Sequence, residues 1–403
     1  MSASAALVPL VLPRPAPCRV LATGAYLKNG AALLQGDQAL LSPVHGDLSS
    51  PEACAALDRS LALLLALADG PIDAVAHDLH PDFHSTRLAQ AWAARLGVPA
   101  VAVQHHHAHL AVVQAEAGLA DVPLVGWALD GMGLGDDGSA WGGELLVLDG
   151  TSCVRWDHLP RLPLPGGDIA ARQPWRLVAA VLQLLGRGDE TVPRLGPMVG
   201  PDLARGVRTL LLRGLNCPVT SSAGRWFDAA AGVLGLSLRQ AHEAEAAQAL
   251  EAAATAWLAR GEPLPDEPAI GLDLLPLLGA LLDEPDAGRG AARFHRVLAG
   301  ALAAEAAHAA GAIGTHRVAL AGGCFFNRLL RQHVTQGLQR AGLTVLQPQA
   351  VSCGDAGLAL GQAWVAAGQL AAAAAKPTLD VRAPHRPPVA APTGPLHEPL
   401  LET

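Results

Sequence analysis

Two kinds of apolar pattern alternate along the chain, and they do so twice in the same order. The runs CRVLAT (18–23), AALLQ (31–35) and QALLS (38–42) have strand length, and Gly36-Asp37 between the last two predicts a hairpin. A helical apolar period covers 51–68. DAVAHDLH (73–80) predicts a buried strand that ends at a polar edge. A helix over 85–96, the strand PAVAVQ (99–104) and a helix over 105–118 follow. The order then recurs. PLVGWALD (123–130) predicts a strand, and AWGGELLVL (140–148) with TSCVRWD (151–157) predicts a hairpin through Asp149-Gly150. After a long interruption come a helix at about 291–312, the strand HRVALAGG (316–323), a helix over 325–341, the strand LTVLQPQ (343–349) and a helix over 355–372.

Each half therefore reads as three strands, then helix, strand, helix, strand, helix. A duplicated mixed sheet with helices on its faces predicts an α/β molecule of two lobes with a cleft between them. The predicted organisation is a flexible leader (1–17), lobe I (18–119), lobe II (120–375) and a Pro/Ala-rich tail (376–403). Lobe II carries a largely helical, Ala/Leu-rich insertion over about 159–288.

The densest chemistry lies in Val-Gln-His-His-His-Ala-His (103–109). His105 and His109 are four residues apart, so on a helix their rings share one face, a spacing that suits two ligands of one metal ion. His106 and His107 point elsewhere and read as packing residues. A zinc-protease helix would need Glu beside the first His, and His106 stands there instead. The glycine-rich LDGMGLGDDG (129–138) follows a strand. Gly131 and Gly133 would let backbone N–H groups approach a phosphate, and Asp130 could bind a metal directly or through water. In AGGCFFNR (321–328), Gly322 and Gly323 lead into a helix whose N-terminus could face an anion, with Asn327 as a further polar contact. Asp355 in CGDAG (353–357) reads equally as a helix cap or as an oxygen ligand beside the two imidazoles. Asp228 and Glu243 could hold ribose hydroxyls, although by pattern alone they read as solvated helix carboxylates.

Composition narrows the classes. With 51% hydrophobic and 16% charged residues the chain is globular, not disordered. The net charge of −8 and the lack of a Lys/Arg cluster argue against a nucleic-acid surface. No apolar run approaches the ~20 residues of a membrane span. The six scattered cysteines form no Cys-x-x-Cys pair, which argues for reduced thiols in a cytoplasmic protein and against a zinc ribbon. Cys324 and Cys353 flank the candidate site and read as small buried residues.

Taken together, these segments resemble the C-terminal domain of the HypF carbamoyltransferases of NiFe-hydrogenase maturation, a domain similar to the tRNA threonylcarbamoyl transferase TsaD. The resembling stretches include 27–48, 77–89, 103–111, 129–144, 164–175, 220–235, 322–328 and 354–363. The resemblance implies the two-lobed duplicated RNase H-like fold of the actin, sugar-kinase and heat-shock ATPase superfamily. It implies a divalent metal, zinc or iron, held by His105, His109, Asp130 and Asp355, with His105, His109 and Asp130 catalytic. It also implies ATP or carbamoyl adenylate against Gly131, Gly133, Asp228, Glu243, Gly322, Gly323 and Asn327. His242-Glu243-Ala244 replaces the family's Tyr-Glu-Gly, which puts the ribose end in question.

The implied reaction moves a carbamoyl group, derived from carbamoyl phosphate, onto the C-terminal cysteine of the partner HypE. Full-length relatives carry an acylphosphatase domain, zinc-finger cysteine pairs and an adenylate-forming domain ahead of this one. This sequence shows no counterpart, so it is expected to perform the last step only. Two other readings of the same core are a TsaD-like tRNA enzyme, which the acidic balance opposes, and a non-catalytic scaffold that binds nucleotide and HypE.

Overall fold

The computed structural model describes residues 7–265, 267 and 270–375. The predicted tail and the first six residues of the predicted leader lie outside them. The first half contains β1 (Val8–Val11), β2 (Val20–Ala22), β3 (Ala32–Gln35), β4 (Gln38–Leu41), α1 (Pro51–Ala66), β5 (Ala74–Asp78), α2 (His84–Leu96), β6 (Ala100–Val103) and α3 (His105–Ala117). The second opens with β7 (Leu124–Leu134), β8 (Ala140–Asp149) and β9 (Ser152–His158). Next come β10 (Leu162–Pro163), α4 (Ile169–Arg172), α5 (Pro174–Leu184), α6 (Thr191–Val199), α7 (Pro201–Arg213), β11 (Val219–Thr220), α8 (Ala223–Val233), α9 (Glu245–Leu258) and α10 (Leu275–Leu281). It closes with α11 (Ala287–Ile313), β12 (Arg317–Ala321), α12 (Arg328–Arg340), β13 (Thr344–Leu346) and α13 (Leu358–Ala374).

The two sheets share one plan. In the first, β2, β3 and β4 form an antiparallel meander, and β5 and β6 run parallel to β2. In the second, β7, β8 and β9 form the meander, and β12 and β13 run parallel to β7. The orders β4-β3-β2-β5-β6 and β9-β8-β7-β12-β13 correspond strand for strand, which is the duplicated RNase H-like fold. The short runs AVAHD of β5 and RVALA of β12 are buried almost throughout, as strands covered on both faces must be.

Two sequence-based boundaries change. Val8–Val11, inside the predicted leader, is strand β1, paired antiparallel with β4 at the sheet edge. Three of its four side chains are exposed, so its apolar pattern is faint. The expected strand end at Asp130 is also too early. Strand β7 continues to Leu134, its pairing with β8 interrupted between Leu129 and Gly133.

The seam between the halves is made by helices α3 and α13. Ala108, Ala111, Val112 and Ala115 of α3 pack with Leu358, Leu360, Ala363 and Val365 of α13 against β2, β3 and β5. The opposite face of α3 places Leu110 and Val113 on β7 and β12 of the second sheet. The helix is buried on all sides, which explains why its apolar pattern shows no polar face. Helix α13 belongs to the second half by sequence, yet it completes the core of the first. The crossing is close because residue 361 is glycine: a Cβ there would collide with the Ala108 carbonyl. Gln362 adds a reciprocal pair of bonds, accepting from the Gly24 N–H at 2.9 Å and donating to the Gly24 carbonyl at 3.2 Å.

Candidate metal centre

The site forms where the parallel strands of both sheets end, the usual place for ligands in such sheets. Strand β6 ends at Val103, and only the capping residue Gln104 separates it from His105. Asp78 is the last residue of β5, Asp130 lies on β7, and Asp355 opens the short turn of 3-10 helix that leads into α13. The side chain of Gln104 caps α3 by accepting from the His107 N–H at 2.7 Å, and its amide donates to the Leu134 carbonyl at 3.1 Å. This clamp holds the first turn of α3 against the extension of β7. Ala108, where α13 crosses, lies between the two histidines on the same helix. The crossing therefore brings Asp355 to their rings.

One ligand atom from each of His105, His109, Asp130 and Asp355 lies within 4.8 Å of the others. His105 Nε2 is 3.3 Å from Asp130 Oδ2 and 3.6 Å from Asp355 Oδ1, and His109 Nε2 is 3.8 Å and 3.5 Å from the same two atoms. Metal bonds of about 2.0–2.2 Å in a tetrahedron give ligand separations of about 3.3–3.6 Å; three of these four gaps lie in that range and the 3.8 Å gap just beyond it, a spacing that a small inward movement would fit to one ion. His109 Nε2 is buried with no hydrogen-bond partner, the orphaned lone pair that a metal would satisfy. Two nitrogens and two oxygens suit zinc and iron(II) comparably.

Sequence reasoning assigned no role to Asp78. It is fully buried, and its Oδ2 lies 2.7 Å from His105 Nδ1 while its Oδ1 accepts the His80 N–H at 3.0 Å. A carboxylate at Nδ1 holds the proton there and turns the Nε2 lone pair toward the cluster. The only signal in the sequence was the polar end of an otherwise apolar strand. Asp130 is fixed from behind: its Oδ1 accepts the Gly323 N–H at 3.1 Å, and the Ser222 hydroxyl lies against the carbonyls of residues 130 and 131.

The electrostatics are those of a tightly paired cluster. Burial alone would lower His105, but Asp78, Asp130 and Asp355 outweigh it and raise its pKa well above the ordinary histidine value. His109 is raised for the same reason by Asp130 and Asp355. Burial would raise Asp130 and Asp355, but the imidazoles hold both below the usual carboxylate range. His106 and His107 are also buried, and burial pushes His106 well down and His107 down to about 4. Neither joins the cluster, and both pack as neutral rings. Burial lifts the Cys324 and Cys353 thiols above their ordinary value, Cys324 the further, so both stay protonated.

The expected nucleotide residues divide. Gly131 faces open space, with nothing near the position a Cβ would take. Gly133 serves the histidines instead: a Cβ would press on the His105 and His106 rings at 2.8 Å. The N–H groups at Gly322 and Gly323, expected to meet a phosphate, are already used. Gly322 donates to the Cys353 carbonyl at 2.8 Å, and Gly323 to Asp130. Gly322 has φ +99, and a Cβ there would collide with the Leu129 backbone. Asn327 turns inward: its Oδ1 caps α12 by accepting the Leu330 N–H at 2.9 Å, and its amide nitrogen meets His295 at 2.8 Å. Asp228 is not a solvated helix carboxylate. It is buried beside Arg225 at 2.9 Å, and burial raises it to about 6 against the pull of that arginine. Glu243 is half exposed and pairs with Lys28 of the β2–β3 loop at 2.9 Å.

Among the described residues all six cysteines are free, and no helix is long and apolar enough to cross a membrane.

Comparison with known proteins gives one family. Residues 16–116 match the model described as the HypF Kae1-like domain, and residues 126–362 match that of the carbamoyltransferase Kae1-like domain, second subdomain. A curated relative from Cupriavidus necator, named carbamoyltransferase HypF homolog, is 57% identical over 372 residues, 89% of this chain and 94% of that protein. Carbamoyltransferase HypF2 of the same organism is 46% identical over 86% of this chain and 46% of its own length. The crystal structure of T. kodakarensis HypF superposes with a TM-score of 0.82 at 30% identity, over 91% of this chain and 49% of that one. Full-length HypF in its phosphate- and nucleotide-bound form gives 0.80 at 29% identity, over 90% and 57%. The chain thus spans nearly all of the first relative and about half of the other three.

Proposed function

This chain belongs to the HypF carbamoyltransferase family, and from that premise we propose that it transfers a carbamoyl group from carbamoyl adenylate to the C-terminal cysteine of HypE during NiFe-hydrogenase maturation. The carrying observation is the buried cluster of His105, His109, Asp130 and Asp355 at the seam of the duplicated lobes, all four ligand atoms within 4.8 Å. In the transfer a bond forms from the cysteine sulfur to the carbamoyl carbon. The bond from that carbon to the phosphate oxygen breaks, AMP leaves and the thiol proton is released.

The metal held by these four side chains would supply a Lewis acid to the carbonyl or to the leaving phosphate. Asp78 keeps the His105 proton on Nδ1 and so keeps Nε2 available. Gln104 and the crossing of α3 with α13 hold both rings in place. Gly131, which opens onto free space, leaves room for the donor beside Asp130. The deep placement of the ligands keeps water from the reacting carbon. The acceptor brings its own sulfur, in keeping with the raised thiols of Cys324 and Cys353. Binding of a nucleotide is supported by the structural likeness to HypF in its nucleotide-bound form.

The test mixes purified protein, synthetic carbamoyl adenylate and HypE, and reads the partner's mass. Carbamoylation of the C-terminal cysteine is expected with the intact protein and not with the double variant His105→Ala/His109→Ala. No addition with the intact protein would defeat the transferase reading. Addition that survives the double substitution would defeat the role of the histidines.

A further inference from the structure

Lys28 is one of two lysines in the chain, and its charge reaches the carboxylates of the metal centre. Its loop, between β2 and β3, is built to hold it in place. Asn29 is fully buried, donating to the Thr23 carbonyl at 2.8 Å and the Ala25 carbonyl at 2.7 Å, while its Oδ1 meets His45 at 2.8 Å. Gly24, at the start of the loop, is tied to Gln362 of α13 through both of its backbone polar groups. Gly30, at the end, lies so close to the turn bearing Asp355 that a Cβ would come 3.2 Å from the Ala356 carbonyl. Between these anchors Lys28 adopts φ 44, a left-handed conformation that a lysine takes only where the surroundings hold it.

The ammonium is within electrostatic reach of Asp355 and Asp130, and it pairs with Glu243 across the cleft at 2.9 Å. Burial alone would lower its pKa, but Glu243, Asp355 and Asp130 together raise it, so it remains charged. Both members of the pair are about half exposed, 53% and 54%, and an exposed pair of this kind is readily exchanged for another anion. Two arginines whose charge reaches this region, Arg225 and Arg155, have partners already. Arg225 lies on Asp228 at 2.9 Å, and Arg155 bonds Glu144 at 2.6 Å and stacks on Trp141. The N–H groups of Gly322 and Gly323 are likewise spent within the protein. An anionic group entering above the metal centre thus meets in Lys28 a cation whose present partner is exposed and exchangeable.

We propose that Lys28 is a donor-binding residue of the active site, whose ammonium leaves Glu243 to bind the phosphate of the adenylate. Glu243 in this arrangement guards the lysine while the cleft is empty. The proposal rests on the adenylate donor of the preceding section, and the experiment separates the two.

Metal-loaded full chain is titrated calorimetrically with AMP and with adenosine, which lacks the phosphate. Lys28→Ala is expected to weaken AMP by about 10- to 100-fold, the range for losing a charge-assisted bond, and to leave adenosine unchanged. Lys28→Arg keeps the charge and should recover most of the AMP affinity. Glu243→Gln removes the competing anion and should tighten AMP. Metal content, measured in parallel, should match wild type in all three variants, which a loop collapse would not allow. Equal losses for AMP and adenosine in Lys28→Ala, or no loss for either, would overturn the assignment of Lys28. Weakened AMP and adenosine in Glu243→Gln would place Glu243 on the ribose and overturn the exchange. Wild-type protein that binds neither molecule would sink the donor reading itself.

Discussion

Asp78 sets which nitrogen of His105 carries the proton, and with it the geometry of the metal centre. Both carboxylate oxygens act as acceptors, one for His105 Nδ1 at 2.7 Å and one for the His80 N–H at 3.0 Å. Asp78→Asn preserves the shape but offers one acceptor and one donor. If the amide oxygen stays on His80, its NH2 group faces Nδ1, and the proton moves to Nε2. That nitrogen is 3.3 Å from Asp130 Oδ2 and 3.6 Å from Asp355 Oδ1, so the proton would occupy the position of the metal. If the oxygen stays on His105, a buried N–H confronts the His80 N–H instead. Either outcome costs the charge-assisted bond, and losses of such outer partners commonly weaken metal binding by about 10- to 100-fold, ~1.4–2.7 kcal/mol. Competition between protein and a chelator at neutral pH measures this directly for zinc and for iron(II). Asp78→Glu is the control for charge without geometry and should also be weakened. An Asp78→Asn protein that binds either ion as tightly as wild type would refute the tautomer argument.

Three further outcomes follow from the same geometry. His109→Ala removes a ligand whose Nε2 is buried and otherwise unpartnered, and should reduce metal affinity by more than the ~100-fold upper end for outer partners, as read by metal analysis after dialysis; full retention of the ion would count against the four-ligand set. Gly361→Ala forces a methyl group into the Ala108 carbonyl, and overpacking of this kind costs ~1–3 kcal/mol; the melting temperature should fall and metal affinity with it, because Asp355 moves with α13. The pH dependence has a defined sign. In metal-free protein His105 and His109 are raised, so their stabilising pairs are complete below the unfolded histidine pKa and lost as pH rises through the higher folded values. Metal replaces those protons, so its affinity should fall on acidification, and the melting-temperature gap between loaded and metal-free protein should widen from about pH 6 to about pH 9. A constant gap across that range would contradict the pairing.

The repeated order of strands and helices was readable because runs such as β2, β3, β5 and β12 are buried almost throughout and most surface helices keep their period. The paired histidines were readable for the same local reason, since a spacing of four on a helix is geometry written in sequence. Long-range relations were not. Glycines between polar residues look like a loop, so the continuation of β7 through Leu134 was hidden. The N–H groups at Gly322 and Gly323 look available until Cys353 and Asp130 are seen beside them. Asp78 and Lys28 acquire roles only when strand order sets β5 beside β6 and when Gly30 meets Ala356. Asn327 looked like a ligand contact because its other partner, His295, lies 32 residues away in the chain.

The exchange of helices at the seam has a consequence for biosynthesis. The apolar surface of β2, β3 and β5 is covered by Leu358, Leu360, Ala363 and Val365, which leave the ribosome last among the residues of that core. The first half must wait, incomplete and sticky, while more than two hundred residues are added, a period in which chaperones would find a natural client. Separately expressed halves should accordingly be insoluble alone and recover only when produced together.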